Sequence, residues 1–268
     1  MSQQPIGIFD SGIGGMTVAH AIKKALPNEQ FIYFGDTAHL PYGDKSPESI
    51  RHYAARITQF LIEKKCKAIV IACNTASAHA FKIVQDIAGP SVPVINVIDP
   101  VAEYVSQQFN RKRIGVIGTK GTIASRVYVT RIEKRNKTLK VISNATPLLA
   151  SMIEEGFYNN KISQTIINSY LSKPTFKNID ALILACTHYP LIRKEVDSYY
   201  KKRIPIIDNG EVAANALKEI LEKKSLLSKG KTSKKDLFVV SDYTEAFNHS
   251  TKIFFGEEVQ LKRARIWD

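Results

Sequence analysis

Short apolar runs alternate with longer amphipathic stretches along nearly the whole chain. That alternation predicts strand–helix units and parallel sheets. Strand-length runs fall at 7–10, 31–35, 68–72 and 94–97, then at 114–118, 139–143, 181–185 and 204–207. A further strand is expected at 237–241. The clearest helix puts Ile50, Tyr53, Ala54, Ile57, Phe60 and Leu61 on one face. Ser46 is placed as its N-cap and Pro47 at its first position.

The two series of strands read as copies. Ile6-Gly7-Ile8-Phe9-Asp10-Ser11 aligns with Ile114-Gly115-Val116-Ile117-Gly118-Thr119. Ala68 through Asn74 aligns with Ala181 through Thr187, and Pro93 through Asn96 with Pro205 through Asp208. Three matches in one order imply two similar α/β lobes related by a pseudo-twofold axis, each a mainly parallel sheet flanked by helices. The boundaries follow: 1–97 for the first lobe and 98–208 for the second. Residues after Asp208 either cap the second lobe or return to the first, and 209–268 are assigned to the first.

In open parallel sheets, ligands bind beyond the carboxyl ends of the strands. Asp10-Ser11, Cys73-Asn74-Thr75, Thr119 and Cys186-Thr187-His188 each follow an apolar run directly. If the lobes face each other, Cys73 and Cys186 stand on opposite sides of one cleft. Inverting a stereocentre needs that arrangement, with a base on one face and an acid on the other. Both cysteines precede helical stretches, whose N-termini favour a thiolate and a substrate carboxylate. Taken singly, a cysteine ending a buried strand is usually packing. The matched pair reverses that prior. Cys66, among lysines and without a copy, is read as packing. Asp10 could merely cap the following helix, and His188 could be structural. Gly12-Ile13-Gly14-Gly15 lacks the dinucleotide and Walker spacings and is read as a tight turn near the ligand.

Composition narrows the class. With 268 residues and 44% apolar content, the chain can bury a substantial core. The longest apolar runs are strand-length, so no membrane span is expected. No signal peptide is read at the N-terminus. Three cysteines without a CxxC pair fit reduced thiols in a cytoplasm and no metal centre. The formal charge of +13 could attract nucleic acid, but the lysines are scattered. The densest run, Lys223 to Lys235, reads as a solvated loop, and no nucleic-acid partner is expected.

At these residues the sequence resembles the glutamate racemase branch of the aspartate/glutamate racemase superfamily. The matching stretches are Ile8 through Gly15, Phe34-Gly35-Asp36, Leu40-Pro41-Tyr42-Gly43, Ala72 through Ala76 and Ala185 through Pro190. The likeness is collinear over nearly the whole chain. It implies a two-domain racemase without cofactor or metal, usually dimeric, acting on glutamate and supplying D-glutamate for peptidoglycan. By position, the resemblance implies Cys73 and Cys186 as the catalytic thiols, assisted by Asp10 and His188. It implies substrate contacts from Asp10, Ser11, Tyr42, Gly43, Asn74, Thr75, Thr119, Thr122, Thr187 and His188. The stretch from Thr146 to Gly156 resembles a family segment ending in an acidic pair. Thr146 and Ala150-Ser151 depart from its form, so Glu154 and Glu155 are left out of the site.

Rival readings are an aspartate racemase of the same superfamily, a non-catalytic two-lobed amino-acid binding protein, and a pyridoxal-phosphate racemase. Leu40-Pro41-Tyr42-Gly43 belongs to the glutamate branch. The paired cysteines count against a mere binder. No Schiff-base lysine or phosphate cup can be pointed to for the third.

Overall fold

The computed structural model describes residues 2–230 and 235–267, and its strands form two parallel sheets. The first sheet contains β1 (Ile6–Asp10), β2 (Phe31–Gly35), β3 (Ala68–Ile71) and β4 (Val94–Asn96). The second contains β5 (Arg113–Gly118), β6 (Lys140–Ala145), β7 (Ala181–Ala185) and β8 (Ile206–Asp208). Two late strands, β9 (Leu237–Val240) and β10 (Leu261–Arg263), extend the first sheet beside β2. The chain therefore returns to the first sheet after completing the second.

The repeat in the sequence is a repeat in topology. Strand order is β2-β1-β3-β4 in one sheet and β6-β5-β7-β8 in the other. The register repeats too: Ile6 pairs with Ala68 as Ile114 pairs with Ala181, and Ile69 with Val94 as Leu182 with Ile206. The central strands β3 (Ala-Ile-Val-Ile) and β7 (Ala-Leu-Ile-Leu-Ala) are buried throughout and are continuous apolar runs without alternation, as parallel sheets covered on both faces require. The edge strand β6, in contrast, carries Lys140, Ser143 and Asn144 and is mostly half-buried.

Helices cover both sheets. They are α1 (Met16–Ala25), α2 (Pro47–Glu63), α3 (Asn74–Ala88), α4 (Asp99–Gln108), α5 (Lys120–Ala124) and α6 (Val127–Arg135). Then follow α7 (Pro147–Glu154), α8 (Lys161–Leu171), α9 (Arg193–Tyr199), α10 (Asn209–Lys223) and α11 (Glu245–Phe255). Helix α2 starts as its sequence predicts: Ser46 accepts from the Ser49 N–H, and Pro47 opens the helix. Its buried face is Ile50, Ala54, Ile57 and Leu61, with Tyr53 and Phe60 half-buried at the edge.

One apolar cluster runs from Ile8 and Ala19, through Ala213 and Leu217 of α10, to Ile114 and Ile183 of the second sheet. A second cluster lies on the other face of the first sheet, around Phe34, Ile57 and Ile71. Each fully buried Ile, Leu or Phe here contributes roughly 1.5–3 kcal/mol. The shared core fixes the carboxyl ends of both sheets relative to each other. Among the described residues, no helix is long and apolar enough to cross a membrane. Within the Lys223–Lys235 run, Lys223 closes α10, and residues 231–234 lie outside the described residues.

Candidate active site

The cleft is built from loops at the carboxyl ends of β1, β3, β5 and β7. Its narrow cavity, about 40 Å³, is lined by Ser11, Gly43, Cys73, Thr75, Thr119 and Cys186, among others. At roughly 10–15 Å³ for one water on such a measure, it holds a few waters. The lobes or the loops must part to admit an amino acid.

Cys73 is the N-cap of α3, and its Sγ accepts from the Ala76 N–H at 3.4 Å. Its thiol lies 3.7 Å from Ser11 Oγ. Burial, then the negative charge of Asp10, push the Cys73 thiol up to about 12. The Ala76 N–H and Ser11 act in the opposite direction and do not prevail. The expectation that a helix N-terminus depresses this pKa is therefore corrected: desolvation outweighs the helix, and Cys73 rests as a thiol.

The surroundings of Cys186 differ. It ends β7, but no α-helix begins there; a single 3-10 turn over Tyr189–Ile192 precedes α9. The expected helix N-terminus at this thiol is thus corrected as well. In its place stands His188, with Nδ1 3.6 Å from Cys186 Sγ and Nε2 2.8 Å from Glu154 Oε1. Burial, the largest single influence, lowers the His188 pKa. Hydrogen bonds to Cys186 and Glu154, and their charges, overcome it and hold the imidazole well above 6.5. The imidazole beside Cys186 is thus biased toward its protonated form. Phe254 of α11 packs edge-on against the ring, with centroids 5.2 Å apart.

Asp10 is fully buried at the end of β1. Its Oδ2 accepts from the Gly12 and Gly15 N–H groups at 3.2 and 2.9 Å, so it does hold the turn before α1. Its Oδ1 has no hydrogen-bond partner among the described residues. Burial raises its pKa, while the charge of His188 and the turn's N–H groups lower it, leaving a net rise. The glycine turn is tight because side chains press on it. A methyl at Gly14 would sit 2.4 Å from the His188 ring, and one at Gly15 2.4 Å from Asp10 Cβ.

The remaining predicted residues divide into two groups. Thr75, Thr119 and Thr122 join their hydroxyls across the lobes, with Oγ1 separations of 2.9, 3.1 and 3.0 Å. Ser11, Asn74 and Thr187 line the same cavity, and Thr17 holds the Thr187 carbonyl at 2.8 Å. Tyr42 is different. Its ring is buried and its hydroxyl donates to Asp36 Oδ2 at 2.7 Å, so that hydroxyl is already engaged. The loop reaches the site through its backbone, where Gly43 packs so closely on Thr119 that a Cβ would approach to 2.8 Å.

Sequence reasoning missed Glu154, which stands behind His188, and Phe254, which backs the ring. Glu154 carried a signal, the acidic pair closing α7. Phe254 carried none, being distant in sequence from every motif.

Comparison with known proteins shows the family. The family model for Asp/Glu/hydantoin racemase matches residues 14–217. A glutamate racemase of Chlorobaculum tepidum is 43% identical over 96% of this chain and 94% of its own length. The crystal structure of a Francisella tularensis glutamate racemase in complex with D-glutamate superposes with a TM-score of 0.93. It is 40% identical, covering 100% of this chain and 99% of that one. A Bacillus anthracis glutamate racemase gives a TM-score of 0.90 at 33% identity, covering 98% of each chain. With matches of this length and identity, the chain belongs to the Asp/Glu/hydantoin racemase family, among its glutamate racemases.

Proposed function

We propose that this chain interconverts L- and D-glutamate by moving the Cα proton between Cys73 and Cys186. The observation that carries the reading is the pair of buried thiols, at equivalent strand ends of the two repeated sheets, lining one cavity. Cys73, its pKa pushed up by burial and by Asp10, keeps its proton and is the resting acid, while Cys186 has His188 beside it as a proton-accepting or proton-holding partner. One thiol removes the proton, the other delivers a proton to the opposite face, and the reverse reaction exchanges the roles.

The substrate carboxylates are taken by hydroxyl and amide donors: Ser11, Asn74, Thr75, Thr119, Thr122 and Thr187. Asp10, fully buried behind the cavity wall, carries an Oδ1 without a hydrogen-bond partner among the described residues and assists the Cys73 side, reaching the substrate ammonium only if the site rearranges on binding. His188 assists the Cys186 side. Tyr42-Gly43 contributes its backbone, its phenol being held by Asp36. The reading needs no cofactor or metal. It divides the chain into a first lobe of 1–97 with 209–268 and a second of 98–208, in keeping with β9 and β10 lying in the first sheet. The D-glutamate formed goes to peptidoglycan, made in a cytoplasm where thiols stay reduced. We also propose a homodimer; Leu148, Phe157 and Ile162 offer it exposed apolar surface.

The test is exchange of Cα hydrogen with solvent deuterium for each enantiomer of glutamate and aspartate, after exhaustive chelation. Glutamate should exchange from both faces and exceed aspartate by roughly 10²-fold or more in kcat/KM, since misplaced charge leaves buried donors unpaired. Equal efficiency on aspartate would return the aspartate reading to first place. Strict dependence on an added cofactor would end the two-thiol mechanism.

The close contact at Gly14 makes a second prediction. The 2.4 Å approach to His188 means that Gly14→Ala must push the ring away from Cys186 or Glu154. A displacement near 1 Å costs roughly 10²-fold in rate. Steady-state kinetics should show that loss in kcat, and wild-type kcat would mean the ring position is not critical.

A further inference from the structure

Beside the cleft lies a buried polar triangle of which the mechanism uses only Asn74. Asn74 opens α3, Tyr128 belongs to α6 of the second lobe, and Asn209 opens α10. The Tyr128 hydroxyl donates to Asn74 Oδ1 at 2.6 Å, and Asn209 Nδ2 donates to the same oxygen at 2.8 Å. Asn209 Nδ2 also donates to the Tyr128 oxygen. All three residues are buried, and Asn209 Oδ1 has no hydrogen-bond partner among the described residues.

The directions of these bonds leave little freedom. The NH2 of an amide only donates, so the Tyr128 oxygen accepts from Asn209 and the Tyr128 proton must go elsewhere. It goes to Asn74, which must therefore present its carbonyl. An asparagine side chain is nearly symmetric in shape, and only its partners decide which end faces where. With Oδ1 held twice on the inner side, the Asn74 NH2 is left for the cleft, where it has no protein partner among the described residues.

We infer that Tyr128 and Asn209 are positioning residues that lock Asn74 with its NH2 toward the cleft, so that the substrate carboxylate meets a donor and never an acceptor. The inference rests on the proposed role of Asn74 as a carboxylate ligand and deepens it. It also accounts for the unsatisfied Asn209 carbonyl: turning that amide alone would bury its NH2 without a partner and set its oxygen against the oxygen of Asn74. Because Asn74 directly follows Cys73, the same lock steadies the turn that carries the first thiol.

The test exploits two replacements of one residue. Asn209→Asp keeps the shape but places an acceptor opposite Asn74, which should turn its amide and present the carbonyl to the substrate. Asn209→Ala removes one donor and leaves Tyr128 to hold the orientation. KM for both enantiomers should rise at least about tenfold with Asn209→Asp and less than about threefold with Asn209→Ala, with kcat changed less than KM. A merely structural residue would give the opposite ranking, since Ala loses the packing that Asp retains. The cycle is closed in an Asn74→Ala background, where Asn209→Asp should raise KM no further. A persisting rise there would mean long-range charge repulsion and would overturn the lock, as would Asn209→Ala matching Asn209→Asp. If Asn74→Ala alone left KM unchanged, the carboxylate-ligand reading would fall, and the inference with it. Should Asn209→Asp fail to fold in thermal melts, the double variant Asn209→Ala with Tyr128→Phe, which removes both donors to Asn74 Oδ1, carries the same cycle, and its KM rise must vanish in the Asn74→Ala background.

Discussion

Replacing either Cys73 or Cys186 with Ser is expected to reduce racemisation in both directions by roughly 10³-fold or more, at the upper end of what one acid–base group supplies. A hydroxyl is a far poorer base near neutral pH, and every turnover uses both faces. The diagnostic result lies in a one-sided reaction. Elimination from a glutamate analogue with a leaving group at Cβ or on the amine needs only the first deprotonation. The family resemblance implies that Cys186 should take the proton from L-glutamate and Cys73 from D-glutamate. Cys73→Ser should then still process the L-analogue, and Cys186→Ser the D-analogue, each failing on the other enantiomer. Equal loss of both eliminations in both folded variants would refute one thiol per face. Reversed preferences would keep the two-base mechanism and overturn only the facial assignment.

How far the sequence could be read depended on whether a feature was local. The inner strands, β3 and β7 above all, were legible because parallel strands buried on both faces are uninterrupted apolar runs, while the edge strand β6 with Lys140, Ser143 and Asn144 carries a weaker signal. The copied motifs even anticipated the register, since Ile6 meets Ala68 as Ile114 meets Ala181. β10 was not legible: Leu261-Lys262-Arg263 is a three-residue edge strand with two exposed charges, the form by which edges avoid pairing. In the site, residues at strand ends were found because each follows its run directly. The partners that set their chemistry come from elsewhere: Glu154 from the end of α7, Phe254 from α11, and Tyr128 and Asn209 from two further helices. No spacing in one sequence brings such residues together.

Nor could the motifs reveal that the two copies are electrostatically unequal. Cys73-Asn74-Thr75 and Cys186-Thr187-His188 look equivalent in sequence. In the fold, one thiol caps a full helix beside a carboxylate, and the other faces an imidazole backed by a carboxylate. The pseudo-twofold axis relates the strands but not the charges. Such asymmetry suits an enzyme whose resting state must hold one acid and one base.

His188→Asn should expose that asymmetry. Racemisation itself cannot, because an equilibrium constant of unity between mirror-image glutamates forces equal kcat/KM in the two directions whatever is mutated. One-sided elimination is free of that constraint. With the imidazole gone, the L-analogue should slow by about 10²-fold or more, the scale of a well-placed acid–base partner, and the D-analogue by far less. A stability measurement checks the cause independently. The folded His188 holds its proton more tightly than an unfolded histidine, whose pKa is about 6.5. Its protonation therefore stabilises the fold fully below that pH, and the contribution fades as pH rises through the raised folded value. The difference in melting temperature between the wild-type protein and His188→Asn should be largest in mildly acid solution and shrink as the solution becomes alkaline. A difference that instead grew with pH would mean that His188 is buried neutral, and Cys186 would then need another source of charge to serve as the base.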